Sequence, residues 1–316
     1  MAVTNSLAPT AKKPQKANLT AYLTKDAVKD QINKVVGGKD GQRFISAIVS
    51  ATTTNPALQE CTNPSILSAA LLGESLKLSP SPQLGHYYLV PFNDKNEGKV
   101  AQFQLGYKGY IQLAIRSGQY KKLNVLAIKE GELEYFDPLN EDIKINLMVE
   151  KWDERESLPT VGYYAFFELT NGFRKAIYWS KKQMLSHADK YSPAFSKDET
   201  TVKTRYGEKT KASFADYEAG NYDPKDAWMY SSFWYKNFDG MAYKTMLRQL
   251  ISKWGIMSVE MQTAFESDMT FADENGAKHY VETVEDEDII TIDPIEEQPL
   301  EETAPENNVE SALFGE

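Results

Sequence analysis

The sequence predicts an α+β fold in which β-hairpins and a small twisted antiparallel sheet are packed by helices. Three observations predict it. Apolar residues recur at helical spacing before Lys77, the pattern changes to a period of two from Leu84, and helical spacing returns after Ser180. Pro, Gly and Asn residues separate these stretches and mark where one element ends and the next begins.

Three helices are expected first. They are Lys25–Val36, Gly41–Thr53 and a helix from Asn63 to Lys77. Asn63 supplies a capping side chain, and Pro64 suits a first turn because the N–H that it lacks would have no helical partner there. The prolines of Ser79-Pro-Ser-Pro82 end the third helix.

Strands follow, interrupted by one helix. Leu84–Phe92 and Lys99–Leu105 form a predicted hairpin, and Tyr107–Arg116 returns to helical spacing. Two further strands are expected at Leu123–Phe136 and Ile143–Val149. A second hairpin pairs Tyr163–Thr170 with Phe173–Trp179, because Asn171-Gly172 is typical of a tight two-residue turn.

The last part of the core is predicted to be mainly helical. Ser180-Lys-Lys-Gln183 indicates a capping box that begins a helix ending at Lys190. A polar loop from Tyr191 to Pro224 follows, and loops of that length are usually functional or mobile. Asp226–Trp254 is then helical with a possible break at Asp239-Gly240, and Ser258–Ser267 is the final helix.

Composition excludes several classes of protein. The 316 residues are 41% hydrophobic, which suffices for a core, and no apolar run reaches the roughly 20 residues of a membrane helix. The first 17 residues lack the apolar block of a secretory signal, so the cytoplasm is the expected location. One cysteine, Cys61, and three histidines predict neither a disulfide nor a structural zinc site. No cofactor is expected, and an effect of Mg²⁺ on ligand binding is left open.

The net charge of −10 is unevenly distributed. Residues 271–316 contain 15 Asp or Glu and one Lys, which gives −14, whereas residues 1–270 contain 34 Lys or Arg and 30 Asp or Glu, which gives +4. We therefore divide the chain into a flexible N-terminal arm (1–23), a core (24–270) and an acidic disordered tail for partner binding (271–316).

Motifs for catalysis are weak. A phosphate-binding loop of the form Gly-x-x-x-x-Gly-Lys-Ser/Thr does not occur, nor does a Gly-x-Ser-x-Gly nucleophile turn. Glu132 and Glu134 could serve a metal-dependent nuclease, but two acids at alternate strand positions beside solvent are the plainer interpretation. A binding protein without a catalytic site is therefore expected.

The candidate binding residues lie in the first hairpin and the helix after it, where rings alternate with amides and cations. Single-stranded nucleic acid needs flat rings on which bases stack and cations along its phosphates. The residues predicted to contact it here are His86, Tyr88, Gln102, Gln104, Tyr107, Lys108, Gln112 and Arg116. The alternative is that the rings are core, as in many strands.

Two other basic groups could join this unit. Lys175, Lys182 and His187 belong to the second hairpin and its following helix, together with Arg174 and Lys181. Lys244 and Arg248 lie four residues apart on a later helix whose other face is apolar, so that an amphipathic core helix remains the alternative.

Four stretches follow one another in a characteristic order: Leu84-Gly-His-Tyr-Tyr-Leu-Val-Pro-Phe92, Leu105 to Gly118, Trp179-Ser-Lys-Lys-Gln-Met with His187 and Tyr191-Ser192, and Asp239 to Gly255. On these stretches the chain resembles the RecT family of phage and prophage single-strand annealing proteins. The resemblance covers about 170 residues and neither terminus.

The resemblance implies an ATP-independent recombination protein that coats single-stranded DNA, anneals complementary strands and assembles into rings or helical filaments. It also implies a fold similar to the annealing domain of eukaryotic recombination mediators. The implied partners are single-stranded DNA and the annealed duplex intermediate. A phage 5′→3′ exonuclease and a host single-strand-binding protein are also implied, both through the acidic tail. A passive single-strand-binding protein and a metal-dependent nuclease remain the alternatives.

Overall fold

A computed structural model describes residues 18–37, 40–94, 98–204, 207–268, 270–272 and 278–280. Most of the predicted arm and tail therefore lies outside the described residues. Ordered structure nevertheless extends past both predicted ends of the core, because a helix lies within residues 1–23 and two short strands lie beyond residue 269.

The described helices and strands agree with an α+β fold. The helices are α1 (Leu19–Leu23), α2 (Asp26–Val36), α3 (Gly41–Thr54), α4 (Asn63–Ser75), α5 (Tyr107–Ser117), α6 (Trp152–Ser157), α7 (Lys181–Tyr191), α8 (Phe214–Glu218), α9 (Phe233–Lys236), α10 (Phe238–Trp254) and α11 (Val259–Ser267). The strands are β1 (Tyr87–Asp94), β2 (Gly98–Leu105), β3 (Tyr120–Lys129), β4 (Leu133–Asp137), β5 (Asp142–Ile145), β6 (Thr160–Leu169), β7 (Arg174–Ser180), β8 (Thr200–Thr204), β9 (Gly207–Lys211), β10 (Thr270–Ala272) and β11 (Lys278–Tyr280).

The strands form small sheets with antiparallel pairing. One sheet has the order β1-β2-β10-β11, a second has the order β3-β6-β7, and β4-β5 and β8-β9 are separate hairpins. In the first hairpin Tyr87 pairs with Leu105 and Asp94 pairs with Gly98, as its alternating pattern predicts. The predicted fold class is thus confirmed at the level of small antiparallel sheets packed by helices.

Two hydrophobic clusters form the core. The first cluster packs α2, α3 and α4 against the β1-β2 hairpin and α5, with Tyr87, Phe103 and Tyr110 almost fully buried. The second packs one face of the β3-β6-β7 sheet against α7 and α10, with Tyr163 and Phe167 fully buried. Cys61 is buried in the first cluster beside the start of α4, as expected.

The start of α4 differs by one residue from the prediction. Thr62 is the capping position, whereas Asn63 and Pro64 already belong to the helix. Pro64 still lies in the first turn, where the missing N–H has no cost.

The long strand predicted at Leu123–Phe136 is two strands. β3 ends at Lys129 and β4 begins at Leu133, because Gly131 has a φ of +84° and turns the chain. The next predicted strand, Ile143–Val149, also ends early, since β5 stops at Ile145.

The turn of the β6-β7 hairpin is longer than predicted. The N–H of Leu169 donates to the carbonyl of Phe173, which leaves three residues in the loop, and the N–H of Gly172 donates to Leu169. Gly172 has a φ of +89°. This is a three-residue loop with glycine in the left-handed position, so the prediction of a two-residue turn was wrong.

The predicted loop from Tyr191 to Pro224 contains regular structure. It holds the β8-β9 hairpin and α8. The strands of that hairpin are mostly exposed on both faces, so no apolar alternation marks them in the sequence.

The break in the late helical region precedes the predicted position. A 3-10 segment spans Pro224–Tyr230, α9 ends at Lys236, and α10 begins at Phe238. The side chain of Asn237 accepts a hydrogen bond from the N–H of Gly240, so that Gly240 lies in the first turn of α10. In the residues that the structure describes, no helix is long and apolar enough to cross a membrane.

Candidate nucleic-acid interface

Glycines bring the start of β1 against the start of α5. The N–H of Gly106 donates to the carbonyl of His86 at 2.8 Å. A Cβ at Gly106 would lie 2.2 Å from the carbonyl oxygen of Gly85, and one at Gly109 would lie 2.1 Å from that of His86. Any side chain at Gly106 or Gly109 would therefore separate these two elements.

This close approach gathers a set of side chains that we call the hairpin surface. It consists of His86, Tyr88, Gln104, Tyr107, Lys108 and Phe233. The Tyr88 hydroxyl and the Lys108 side chain both lie against Gly85, and Gln104 is paired with Tyr88 across the β1-β2 hairpin. Lys108 is exposed, whereas Tyr88, Gln104 and Tyr107 are half-buried.

Aromatic contacts extend the hairpin surface toward α9 and α10. The ring of Tyr88 lies 5.9 Å from that of Phe233, and the ring of Tyr107 lies 5.5 Å from that of Tyr243. Phe233 is 42% exposed. Burial raises the pKa of Tyr88, and the neighbouring Tyr107 raises it further. The rings thus offer stacking surfaces at the edge of the core.

The surroundings of His86 favour the neutral form of its ring. Its Nδ1 accepts a hydrogen bond from the N–H of Ser79 at 3.3 Å. Burial lowers the pKa of His86, and the positive charges of Arg116 and Lys108 lower it further. His86, Lys108 and Arg116 are consequently close enough for their charges to interact.

Arg116 is exposed, but its side chain also donates hydrogen bonds to the backbone. Its guanidinium donates to the carbonyl of Leu76 at 2.7 Å and to that of Lys77 at 3.1 Å. These carbonyls lie at the C-terminal end of α4, where cations are favourable. The predicted phosphate contact of Arg116 stays a prediction, but the side chain already stabilises a helix end.

Lys244 and Arg248 do not reach the hairpin surface as free cations. Lys244 Nζ lies 3.0 Å from Asp268 Oδ1, and Arg248 Nη1 lies 3.2 Å from Asp268 Oδ2. The same carboxylate accepts hydrogen bonds from the Leu105 N–H at 2.9 Å and the Tyr110 hydroxyl at 3.1 Å. We call these four groups with Asp268 the Asp268 network.

The Asp268 network is a feature of the core. The Asp268 side chain has no exposed surface, and Lys244 is 8% exposed. Burial lowers the pKa of Lys244, an effect that the Asp268 carboxylate opposes. The network ties α10, α5 and β2 to the segment after α11, which favours the amphipathic core-helix interpretation of Lys244.

The other predicted cations lie elsewhere. Lys175 is 8% exposed, forms an ion pair with Glu141 and has its Nζ 3.8 Å from the centroid of the Trp254 ring. Lys182 is exposed on α7. His187 is half-buried, with its ring 5.4 Å from Trp179 and 4.6 Å from Tyr191.

The predicted glutamines are divided between core and surface. Gln102 is 3% exposed and its Oε1 accepts a hydrogen bond from Gln104 at 2.8 Å, whereas Gln112 is exposed on α5. The sequence predictions missed Phe233 and Tyr243. Phe233 precedes the buried Trp234 and Tyr235 on α9, and the helical phase of so short a helix is not visible in the sequence. Tyr243 lies on α10 and contacts the rings of Tyr107 and Tyr163.

Glu132 and Glu134, the two acids that could serve a nuclease, form ion pairs with basic side chains. Glu132 is fully buried, and its carboxylate pairs with the Arg155 guanidinium at 2.6 Å and 3.0 Å. It also accepts hydrogen bonds from the N–H groups of Lys129 and Met148. Glu134 pairs with Lys144 at 2.6 Å. Glu132 is therefore not a solvated strand residue, as the plainer interpretation held, but a buried ion-pair partner in a turn. Within the described part of the chain, no three His, Cys, Asp or Glu side chains are grouped as a metal site would require.

Comparison with known proteins identifies the family of the chain. Residues 42–289 match the model of the RecT family. The chain is similar to the uncharacterized protein YqaK of Bacillus subtilis, with 37% identity over 257 residues that cover 81% of this chain and 74% of YqaK. It is also similar to protein RecT of Escherichia coli, with 27% identity over 256 residues that cover 80% of each chain. The chain therefore belongs to the RecT family, whose proteins act in DNA recombination and single-strand annealing.

Proposed function

We propose that this protein binds single-stranded DNA at the hairpin surface and anneals complementary strands without ATP. The observation that supports it best is the grouping of Tyr88, Tyr107 and Phe233 beside Lys108 at one edge of the core. Rings stack on bases of any sequence, and a lysine neutralises a phosphate. The surface therefore suits a single strand of any sequence rather than the recognition of a particular base pair.

Annealing on this surface would depend on how the strand is held. A strand whose phosphates contact Lys108 and whose bases lie against the tyrosines cannot fold into its own hairpins. Bases that remain accessible can then pair with a complementary strand. Pairing itself releases free energy, so the protein needs no nucleotide hydrolysis. The hydrogen-bonding side chains of Gln104 and Gln112 would hold the strand without selecting a sequence.

Binding should be governed by phosphate contacts. If roughly four phosphates are neutralised by each subunit, the affinity for single strands should fall about 50-fold between roughly 50 and 200 mM salt. An affinity independent of salt would contradict an electrostatic surface.

The experiment that tests the proposal is an annealing assay with two complementary labelled oligonucleotides. We expect wild-type protein to accelerate pairing well above the rate of protein-free DNA and Lys108→Ala with Tyr88→Ala to remove most of that acceleration. Lys29→Ala is the matched control, since Lys29 is an exposed lysine on α2. Binding without acceleration would indicate a passive single-strand-binding protein. Shortened oligonucleotides in the presence of Mg²⁺ would indicate a nuclease.

Assembly and partners extend the same proposal. The protein would form rings or helical filaments on DNA in the cytoplasm of a bacterial host, and its acidic tail, 271–316, would bind an exonuclease or a single-strand-binding protein. That tail carries −14 and so repels DNA. Full-length protein should release its partner, but not DNA, when an excess of the isolated tail peptide is added.

A further inference from the structure

The β3-β6-β7 sheet has one face that the second hydrophobic cluster leaves open. Tyr163, Ala165 and Phe167 of β6 point into that cluster. Side chains alternate along a strand, so the residues between them point to the other face. The outer face therefore carries Tyr164, Phe166 and Glu168 of β6, with their partners in register on the two flanking strands.

Three cations meet one carboxylate on this outer face. Glu168 Oε1 lies 2.7 Å from Lys121 Nζ, and Glu168 Oε2 lies 3.5 Å from Lys122 Nζ and 3.7 Å from Arg174 Nε. A register irregularity between Tyr120 and Lys122 allows two consecutive lysines to reach the same side. The carboxylate is 10% exposed, whereas the three cationic side chains are 61%, 61% and 65% exposed.

Three cations around the single Glu168 carboxylate are more than the stability of the fold requires. One carboxylate neutralises one cation, so the group keeps a charge of +2 at the surface. Exposed ion pairs contribute little to stability, and cations that share one carboxylate repel one another. A further anion with several oxygens, such as a phosphate, would neutralise the remaining charge.

An aromatic ring lies directly beside the cations. Arg174 Cζ is 5.2 Å from the centroid of the Phe166 ring, and Phe166 precedes Glu168 by two residues on the same face. Asn124, an exposed amide, is paired with Phe166 across β3 and β6. The far end of the face is covered, because Phe136 packs on Tyr178 at 5.1 Å. The open end thus combines a ring, an amide and three cations.

We infer that this open end is a second binding surface for single-stranded DNA, separate from the hairpin surface. We call it the outer platform and define it as Lys121, Lys122, Asn124, Phe166 and Arg174. The cations would contact phosphates, and one base would stack against Phe166 and the Arg174 guanidinium. The inference rests on the proposed function, since annealing brings a second strand to a protein that already holds one.

Charge complementarity favours a polyanion as the occupant over a second copy of the core. The platform carries +2, and residues 1–270 carry +4 in total, so two cores would repel at this surface. The acidic residues 271–316 are the competing anionic occupant.

The test compares two charge-matched triple variants of the full-length protein. Lys121→Ala with Lys122→Ala and Arg174→Ala removes the platform, and Lys25→Ala with Lys29→Ala and Lys34→Ala removes three exposed cations at α2. Binding of labelled oligo-dT is measured across salt concentrations. We expect the platform variant to lose affinity at least 10-fold and its log–log salt slope to fall by about 2, and the α2 variant to change much less.

The possible failures are distinguishable. If wild-type protein binds and anneals but the two triple variants behave alike, the outer platform is refuted and the proposed function stands. If the platform variant binds DNA more tightly than wild type, the acidic tail occupies the platform. If the platform variant sediments differently from wild type in the absence of DNA, a second copy of the chain occupies it. Each of these outcomes overturns the inference. Failure of wild-type protein to anneal refutes the proposed function instead.

Two single substitutions test the platform without removing several charges. Glu168→Gln should strengthen binding and steepen the salt slope by about 0.7, because it exposes one more positive charge to DNA. If the Glu168 carboxylate serves only the stability of the fold, Glu168→Gln should instead lower the melting temperature and leave the affinity of the folded protein for DNA unchanged. Phe166→Leu keeps an apolar side chain but removes the ring, and it should weaken binding about 5-fold or more while its melting temperature stays close to that of wild type.

Discussion

Lys108 of the hairpin surface and Lys244 of the Asp268 network each share a helix face with the residue four positions later, Gln112 and Arg248, yet of the two lysines only Lys108 is exposed to solvent. Lys108 on α5 is exposed beside half-buried rings. Lys244 on α10 is 8% exposed and paired with a fully buried carboxylate. Identical spacing therefore says which residues share a helix face, but the packing of that face decides whether a cation can meet DNA.

The contrast predicts opposite phenotypes for the two regions. Substitutions in the Asp268 network should change the free energy of unfolding, because they leave a buried charge without its partner. Substitutions on the hairpin surface should change DNA affinity and leave unfolding nearly unaltered.

The largest effect is expected at Asp268. Asp268→Ala leaves Lys244, Arg248 and the N–H of Leu105 without their acceptor, and we expect it to lower the free energy of unfolding by about 3–5 kcal/mol. Urea unfolding followed by circular dichroism measures it. Asp198→Ala is the control, since the Asp198 side chain is 81% exposed and should change stability by less than about 0.5 kcal/mol. A folded Asp268→Ala variant that binds DNA more tightly would show that Lys244 and Arg248 are binding residues.

The next effect is expected at Tyr88. If its ring stacks on a base, Tyr88→Ala should weaken binding of oligo-dT by about 1–3 kcal/mol. Fluorescence anisotropy measures binding, and thermal melting measures any loss of stability. Tyr135→Ala is the matched control, because Tyr135 is a strand tyrosine that is 49% exposed outside the hairpin surface. A fall in melting temperature large enough to account for the binding loss would make Tyr88 a core residue.

A smaller effect is expected at Lys108. Lys108→Ala removes one phosphate contact, so the slope of log affinity against log salt should decrease by about 0.7. The loss should be similar for all sequences, and the free energy of unfolding should change by less than about 0.5 kcal/mol. Lys244→Ala should instead lower the free energy of unfolding strongly and leave the salt slope of binding nearly unchanged. Equal stability losses in the two variants would remove the distinction between the regions.

The smallest effect is expected from protonation of His86. The pKa of His86 is lowered in the folded protein, so its contribution to stability is fully present above the unfolded pKa near 6.5 and is lost as the pH falls below it. Protonation also adds a cation beside Lys108. We therefore expect DNA affinity to rise modestly as the pH is lowered from about 7.5 to about 5.5, and His86→Gln to flatten that dependence. An unchanged pH dependence in His86→Gln would assign the effect to another group.

The regular elements with strong periodicity could be predicted from the sequence. The β1-β2 hairpin and α5 follow from alternation and helical spacing in a continuous stretch. The capping box at the start of α7 was also predicted, and both of its hydrogen bonds are present. Elements with weak periodicity were missed. The exposed β8-β9 hairpin has no apolar face to mark it, and the three-residue β6-β7 loop uses the same Asn-Gly pair as a two-residue turn.

The candidate site divides in the same way. Tyr88, Tyr107 and Lys108 of the hairpin surface lie in one stretch of sequence, and local structure suffices to bring them together. Phe233, the Asp268 network and the outer platform join residues that are far apart in the chain. Glu168, for example, contacts Lys121 and Lys122 only because β3 and β6 are neighbours in the sheet.

The sequence by itself determined the fold class, the acidic terminus, the likeness to the RecT family and the membership of the β1-α5 unit. Only the tertiary structure decided which cations are available to a ligand. The physical reason is that a charge is buried or exposed according to the partner that the rest of the chain supplies. Asp268 stabilises Lys244 within the core, whereas Lys108 lies on a face that no acid covers in the described structure.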